Sequence, residues 1–267
     1  MTLLAHWKLD EDRGIGTTTC LDSAGGGSGS HDGTYTMGSN EGGGALFPGG
    51  VGGSHLYSTY QGGVVRSIAN PSDFNLHGSL TIEFWLHHWD EYTYWNGTAR
   101  IMSSYFTPWA TEADNYPWYI WTTNAQQGAP ILSWQYGSSG TVVNVSCSVS
   151  PEPMWTHIAI KRYEITPGYY GVKFYYNGVL VDTQDNSGVG WPAPTGGANC
   201  IPAFGGRYDS FTSYYVHFFL DSVRIYDDEQ SDEEILAVYG EEVLEMFPPL
   251  REEGMFSVRE DAGFVGL

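Results

Sequence analysis

The sequence is poor in basic residues: 11 Lys and Arg stand against 31 Asp and Glu, and the formal net charge is −20. A chain of this charge repels phosphate backbones and anionic lipid headgroups instead of attracting them. Nucleic acids and membrane surfaces are therefore not expected as partners. The sequence also lacks an apolar run long enough to cross a bilayer, so membrane insertion is not expected either.

Cysteine is scarce as well. Cys20, Cys147 and Cys200 are odd in number and far apart, which argues against both a disulfide framework and a cysteine metal site. The segment after Met1 has no basic start, long apolar core or small-residue cleavage site of the kind that marks a secretory leader. We therefore expect free thiols and folding in a reducing cytoplasm.

Turn residues, by contrast, are abundant. The chain has 35 Gly and 13 Pro, and short apolar or alternating runs recur between them from Leu3 to Tyr226. Short strands separated by turn residues are typical of a β-sandwich or barrel. The clearest local signal is Asn177-Gly178, the preferred pair for a type I′ turn, between two strand-like runs. The sequence predicts one all-β domain over residues 1–239.

A single short helix is predicted at the end of this domain, from Ser231 to Tyr239. Ser231 suits the N-cap and Glu234 the capping-box position, and Ile235 and Tyr239 share one helical face. We expect this helix to cover part of the sandwich.

The segment from Gly240 onward differs from the rest. Pro248-Pro249 interrupts both helix and strand, yet the segment is too apolar for a solvated tail. We expect an extended arm, residues 240–267, that docks on its own sandwich or on another protein subunit, in a homo-oligomer or on a capsid or tail protein. Its acidic residues, Glu242 among them, favour a partner surface rich in Lys or Arg. The candidate contact residues are Leu244, Met246, Phe247, Leu250, Met255, Phe256 and Phe264.

Several segments follow one another in an order typical of one family. They are Leu4 to Glu11, Leu21 to Gly25, His31 to Thr34, Ser79 to Trp85, Trp155 to Ala159, Phe174 to Val179 and Leu220 to Tyr226. In this order the chain resembles the laminin-G-like domains of the concanavalin-A-like superfamily, over roughly residues 3–239. The resemblance implies a jelly-roll sandwich of two antiparallel sheets. It implies no single ligand, because the same fold hosts lectins, adhesion modules, glycosidases and structural domains.

The carboxylates needed for glycoside hydrolysis are not apparent. Glycosidases of this superfamily place two of them on one strand face, as in a Glu-x-Asp-x-x-Glu run. Glu83 stands alone between apolar residues, and Asp221 is followed by no carboxylate until Asp227. No nucleophile-elbow motif is present either. We therefore expect a protein that is not an enzyme.

Calcium is the candidate cofactor. A Gly/Ser-rich loop bearing Asp22 can wrap a hard cation while Asp221 on a strand closes the site, and Asp32 can complete the shell. The resemblance supports this pairing, since related domains often hold a structural calcium between the two motif positions. In the alternative, Asp22 caps the loop turn and Asp221 bonds backbone amides, with no metal.

Aromatic side chains are candidates for ligand contact. Planar rings stack on sugars or anchor protein contacts, but they also pack loops and cores. Both uses remain open here. The candidates are Trp109, Trp118, Tyr119, Trp121 and Tyr208.

Two functions follow from these features. The first is a non-catalytic structural or adhesive protein on a bacteriophage virion surface, such as a capsid decoration, head fibre or tail protein, assembled in the host cytoplasm. The second is a calcium-dependent carbohydrate-binding module. An adhesive virion protein that binds host surface glycans would combine both.

Overall fold

The computed structural model describes residues 2–9, 19–24, 31–36, 46–48, 54–58, 64–67, 70–88, 99–105, 118–123, 131–138, 141–151, 154–194, 201–204 and 218–246. These ranges hold seventeen strands, a 3₁₀ turn at Pro71–Phe74 and one α-helix. No helix in this part of the chain is long and apolar enough to cross a membrane.

The strands are short and occur along the whole described chain. In order they are β1 (Leu3–Trp7), β2 (Thr19–Cys20), β3 (Gly33–Thr36), β4 (Leu46–Pro48), β5 (Ser54–Ser58), β6 (Val64–Ser67), β7 (Leu80–His88), β8 (Ala99–Tyr105), β9 (Tyr119–Thr123), β10 (Ile131–Ser138), β11 (Thr141–Ser146), β12 (Thr156–Thr166), β13 (Tyr169–Tyr176), β14 (Val179–Gln184), β15 (Trp191–Pro192), β16 (Ile201–Phe204) and β17 (Phe218–Tyr226).

These strands form two antiparallel sheets. Sheet A has the order β14-β13-β12-β7-β17-β5-β4, with β1 added on β17 and β15 on β13. Sheet B has the order β11-β10-β9-β8-β16-β6-β3-β2. Strand β7 pairs along one edge of β17, while β5 and β1 share the other edge. The predicted all-β, two-sheet antiparallel sandwich is confirmed.

The core lies between the sheets and is built from alternating side chains. Ile82 of β7 stands beside Ile160 of β12, which in turn stands beside Phe174 of β13. These three side chains are fully buried, as are Trp7 from β1 and Trp134 from sheet B. Burying a side chain of this size contributes about 1.5–3 kcal/mol. In sheet A, the side chains that alternate with these core residues point away from the core. We call the surface that they form the outer face of sheet A.

Two local predictions are confirmed in detail. Asn177 and Gly178 both have left-handed backbones, with φ of 52° and 75°, as a type I′ turn between β13 and β14 requires. Before the helix, the Glu234 backbone N–H donates to Ser231 Oγ at 3.1 Å, and the Ser231 N–H donates to the Glu234 carboxylate at 2.7 Å. This is the reciprocal capping box.

The helix is longer than predicted. Helix α1 runs from Asp232 to Met246, past Gly240, so the expected domain boundary after Tyr239 falls inside it. Residues 240–246 are helical, and the prediction that they begin an extended arm is wrong. Leu244, 61% exposed, and Met246 thus belong to the helix. The rest of the predicted arm, with Phe247, Leu250, Met255, Phe256 and Phe264, lies outside the described residues.

Candidate functional site

The first candidate site surrounds Asp22, where four nitrogen atoms face one carboxylate. The backbone N–H groups of His6 and Ala24 donate to Asp22 Oδ1 at 2.9 Å. The backbone N–H of His31 donates to Oδ2 at 3.2 Å, and its ring Nδ1 lies 3.0 Å from the same oxygen. Asp32 belongs to the same network because its Oδ1 accepts from the Asp22 backbone N–H at 3.0 Å. These contacts tie the loop to β1.

Asp221, the predicted partner of Asp22 in a calcium site, is fully buried on β17. Its Oδ1 accepts from the backbone N–H of Ser222 at 2.8 Å. Both residues make the backbone hydrogen bonds that the alternative describes. Among the residues that the structure describes, no group of three or more His, Cys, Asp or Glu side chains is placed to hold a metal ion. Calcium binding stays a prediction.

The aromatic candidates divide into buried and undescribed residues. Trp118 is fully buried in the core and Tyr119 is 4% exposed, so neither presents an open ring to a sugar. The burial of these two rings agrees with packing, the other of the two uses, and ligand contact at them stays a prediction. Trp121 on β9 is half-buried, and it stays a candidate. Trp109 and Tyr208 lie outside the described residues.

The second candidate site was not predicted, and it lies between α1 and the outer face of sheet A. Three side chains from the sheet converge there on the carboxylate of Glu242. Trp85 Nε1 donates to Oε2 at 2.8 Å, while Ser222 Oγ and Arg224 Nη1 both donate to Oε1. Glu242 itself is 3% exposed. The charge-assisted pairing of a guanidinium with a carboxylate makes this a strong contact.

A β-bulge positions the two donors from β17. Asp221 pairs with Trp85 and Arg224 pairs with Glu83, so two residues of β17 stand opposite the single residue Phe84. Ser222 adopts φ of +46°, a left-handed conformation that is unfavourable for a residue with a side chain. The bulge turns the Ser222 hydroxyl to the outer face, beside the Arg224 guanidinium.

Glu83 and His157 complete the wall of this site. Both are fully buried, and Glu83 Oε2 lies 3.4 Å from His157 Nε2. No other hydrogen-bond partner of either side chain occurs among the described residues. Burial raises the pKa of the Glu83 carboxyl, although His157 and Arg224 oppose the shift. Burial and the nearby Arg224 lower the pKa of His6, at the rim of the site, to about 3.

The N-terminal half of α1 is fastened separately. Lys161 Nζ and the Tyr175 hydroxyl donate to Asp232 Oδ1 at 2.9 and 2.6 Å. The Tyr175 hydroxyl, and Lys161 after it, hold the pKa of Asp232 below its usual range. Ile235 packs on Ala159 and Tyr175 one turn further on. The helix therefore has one anchor at each end of its contact with the sheet.

This site was missed because its residues are isolated in the sequence, but two signals point to it. Trp85 and His157 alternate with core residues on their strands, so the outer face of sheet A carries side chains too bulky for a solvated surface. Ile235, Tyr239 and Glu242 are four and three residues apart, which places Glu242 on the face of the helix that packs on the sheet. The expected basic partner of Glu242 is a surface of another subunit, whereas the structure pairs it with Arg224 of its own chain.

Solved structures with a similar fold include binding domains of botulinum neurotoxins and of a mosquitocidal protein. One is the botulinum neurotoxin serotype D ligand binding domain in complex with N-acetylneuraminic acid, with a TM-score of 0.59 and 16% identity over 91% of this chain and 52% of that one. The binding domain of Paraclostridial Mosquitocidal Protein 1 has a TM-score of 0.59 and 14% identity, over 90% and 52%. Botulinum neurotoxin type C, whose cell entry depends upon interaction with two ganglioside molecules, has a TM-score of 0.54 and 14% identity, over 90% and 51%.

This chain spans about half the length of those chains, and likeness at such identity concerns the fold alone. No curated protein matches the sequence. A sequence model of the concanavalin A-like lectin/glucanases superfamily matches residues 60–236, more than half of the chain, and the chain therefore belongs to this superfamily.

Proposed function

We propose that the protein is a non-catalytic adhesive domain that binds glycans and is displayed on the surface of a bacteriophage virion. The observation that carries the binding role is the two-sheet lectin-type sandwich, which is shared along nine tenths of the chain with binding domains of toxins. One of those structures contains N-acetylneuraminic acid, and another concerns gangliosides. Glycan binding by proteins that share this fold over about half of their length supports a glycan ligand for this chain.

The burial of the carboxylates supports a role without catalysis. Glu83 of the sheet and Glu242 of α1 both approach His157. They are 0% and 3% exposed, between the helix and the sheet. A glycosidase needs its two carboxylates on either side of an accessible glycosidic bond. A substrate has no access to this pair while α1 covers it.

The acidic surface and the exposed apolar residues of α1 support a place in a larger protein assembly. Leu236 and Leu244 are 51% and 61% exposed on the helix, and they are eight residues apart, or about two turns. Exposed apolar side chains of this kind mark protein contacts when they form a patch. The partner is another subunit, either a second copy or a capsid or tail protein.

Glycan binding is tested with the purified chain on a glycan array, with and without a calcium chelator. Binding in both buffers supports the proposal, and binding only with calcium supports the calcium-dependent module. If no glycan binds, the adhesive role is refuted.

Virion assembly is tested by deleting residues 247–267, which begin after the last residue of α1. We expect the shortened chain to fold and to be absent from purified particles, whereas its presence at the normal copy number would refute docking through this segment.

A further inference from the structure

The donors around Glu242 form a complete receiving set for a carboxylate, and all of them belong to sheet A. Trp85 lies on β7, and Ser222 and Arg224 lie on β17. An indole N–H, a hydroxyl and a guanidinium supply donors to both oxygens of one carboxylate. The set is held in place by the bulge of β17, whatever occupies it.

The same place offers polar groups that Glu242 does not use. The ring of His157 is fully buried, with Nε2 4.0 Å from Glu242 Oε2, and neither ring nitrogen has a hydrogen-bond partner among the described residues. The Glu83 carboxylate beside it lies 3.4 Å from His157 Nε2 and has no hydrogen-bond partner of normal geometry among the described residues. Buried polar groups are ordinarily hydrogen-bonded, so these two side chains retain the capacity to bond hydroxyl groups of a ligand once the helix end is displaced.

Two aromatic rings border the same position. The rings of Trp85 and Tyr239 lie 5.8 Å apart at 32° to each other, and each also lies against the His157 ring. Aromatic faces combined with a few fixed polar groups are typical of small-molecule sites. A carboxylate donor set, unused polar groups and aromatic rings together match an acidic sugar better than an acidic protein side chain.

The C-terminal half of α1 is the part that holds Glu242, and it is weakly built. Gly240 lies in the helix interior, where glycine is less favourable than alanine. Glu241, Leu244 and Glu245 are exposed, and the last turn has no basic residue to complement the helix dipole. The N-terminal half has its own anchors at Asp232 and Ile235. The end of the helix can therefore detach while its beginning stays docked.

We propose that the outer face of sheet A carries a binding site for the carboxylate of an acidic sugar, and that Glu242 is its internal occupant. The sugar carboxylate replaces that of Glu242 on Trp85, Ser222 and Arg224 when the residues after Gly240 lift from the sheet. This inference rests on the proposed glycan binding and names a sugar class and a site for it. The helix end then acts as a built-in competitor that lowers the affinity of the unmodified chain.

The test removes the competitor from the full chain and adds sugars. In Glu242→Ala we expect sodium glucuronate to raise the melting temperature in a saturable manner, because a ligand that binds only the folded state stabilises it. We expect propionate to bind about tenfold more weakly, since it fills only the carboxylate position, and glucose at matched ionic strength to have no effect. Glu241→Ala, which alters an exposed neighbour, should behave like the wild type.

The double variant Glu242→Ala/Arg224→Met is the decisive control, because it lacks the guanidinium. Glucuronate that stabilises it as well as the single variant would overturn the proposal, as would propionate that binds as tightly as glucuronate. A blocked glutamate that binds more tightly than glucuronate would assign the site to an acidic protein segment and overturn the sugar ligand.

If Glu242→Ala does not fold, Gly240→Pro breaks the helix just before the occupant and should bind glucuronate more tightly than the wild type. Equal or weaker binding by that variant would refute the competition.

Failure of this site is distinguishable from failure of the proposed function. Glycan-array binding that is unchanged in Arg224→Met would leave the adhesive role intact and remove this site from it. Glucuronate binding to Glu242→Ala, with no glycan bound on the array by either the wild type or Glu242→Ala, would keep this site and refute the adhesive role.

Discussion

Replacing Asp22 by alanine should destabilise the fold more than any other single change in its loop. The substitution removes the acceptor of His6 N–H, Ala24 N–H and His31 N–H and a contact to His31 Nδ1. A buried donor left without an acceptor costs about 1–3 kcal/mol. Water entering the vacated space replaces part of the loss, so we expect about 3–5 kcal/mol instead of the sum over four groups.

Asp32→Ala is the matched control, because it alters the same network and, among the residues that the structure describes, removes only the bond to the Asp22 N–H. Its cost should be about 1 kcal/mol. For a chain of this size each kcal/mol lowers the melting temperature by about 2–4 °C, so calorimetry should separate the variants by roughly 4–16 °C. Equal melting temperatures for the two variants would refute the role assigned to the Asp22 hydrogen bonds.

The Asp22→Ala variant also tests the calcium hypothesis. From the hydrogen bonds alone we expect the gap between the wild type and Asp22→Ala to be the same in calcium and in chelator. A bound ion shared with Asp221 would stabilise only the wild type and only in calcium, since a ligand of the folded state acts by mass action. A gap that narrows in chelator would therefore establish the ion.

Three further changes test the packing of α1 and the site beneath it. Gly178→Ala should cost about 1–3 kcal/mol more than Gly168→Ala in denaturant unfolding. Both glycines have positive φ, but only at Gly178 would a Cβ atom meet Leu236, at 2.8 and 3.2 Å, so equal costs would contradict the close helix contact. Gly240→Ala should stabilise the fold by about 0.5–1 kcal/mol, because a Cβ atom there meets nothing within 4 Å, and a loss of stability would show that 240 is not helical. Burial raises the pKa of Glu83, so the folded state binds a proton there more tightly than the unfolded state, and the free energy of unfolding falls as pH rises from the ordinary Glu pKa through the raised one. In Glu83→Gln this dependence of the unfolding free energy on pH should be lost. An unchanged dependence would contradict the assignment.

The elements that could be predicted from sequence are those determined by nearby residues. The Asn177-Gly178 turn needs two positive φ angles, and these two residue types supply them at low cost. The capping box joins Ser231 and Glu234 through bonds three residues apart. Strand β5, by contrast, was not predicted: its sequence Ser-His-Leu-Tyr-Ser has no strong alternation, and pairing with β4 and β17 holds it.

The end of α1 shows where local rules fail. Gly240 is a typical stop signal, and the sequence accordingly predicts a helix that ends at Tyr239. The helix continues because Glu242, one turn beyond Tyr239, bonds to sheet A and keeps the intervening residues helical. Tertiary contacts outweigh an intrinsic cost of about 1 kcal/mol for a helical glycine. The same glycine then makes the helix end easier to release.

The candidate site beneath α1 could not be predicted for a related reason. Its members come from β7, β12, β17 and α1, and Glu83 has no charged neighbour in sequence to suggest its contact with His157. The charge balance also led to a wrong expectation for Glu242, because an excess of acidic residues suggests a basic partner outside the chain. Arg224 is one of only 11 basic residues, and the β17 bulge aims it at Glu242. A scarce cation that is committed to an internal carboxylate leaves two possibilities: it stabilises the helix only, or it serves ligands that compete for it. Arg224→Met separates them, since a purely structural cation would change the melting temperature and leave glucuronate binding to Glu242→Ala unaffected.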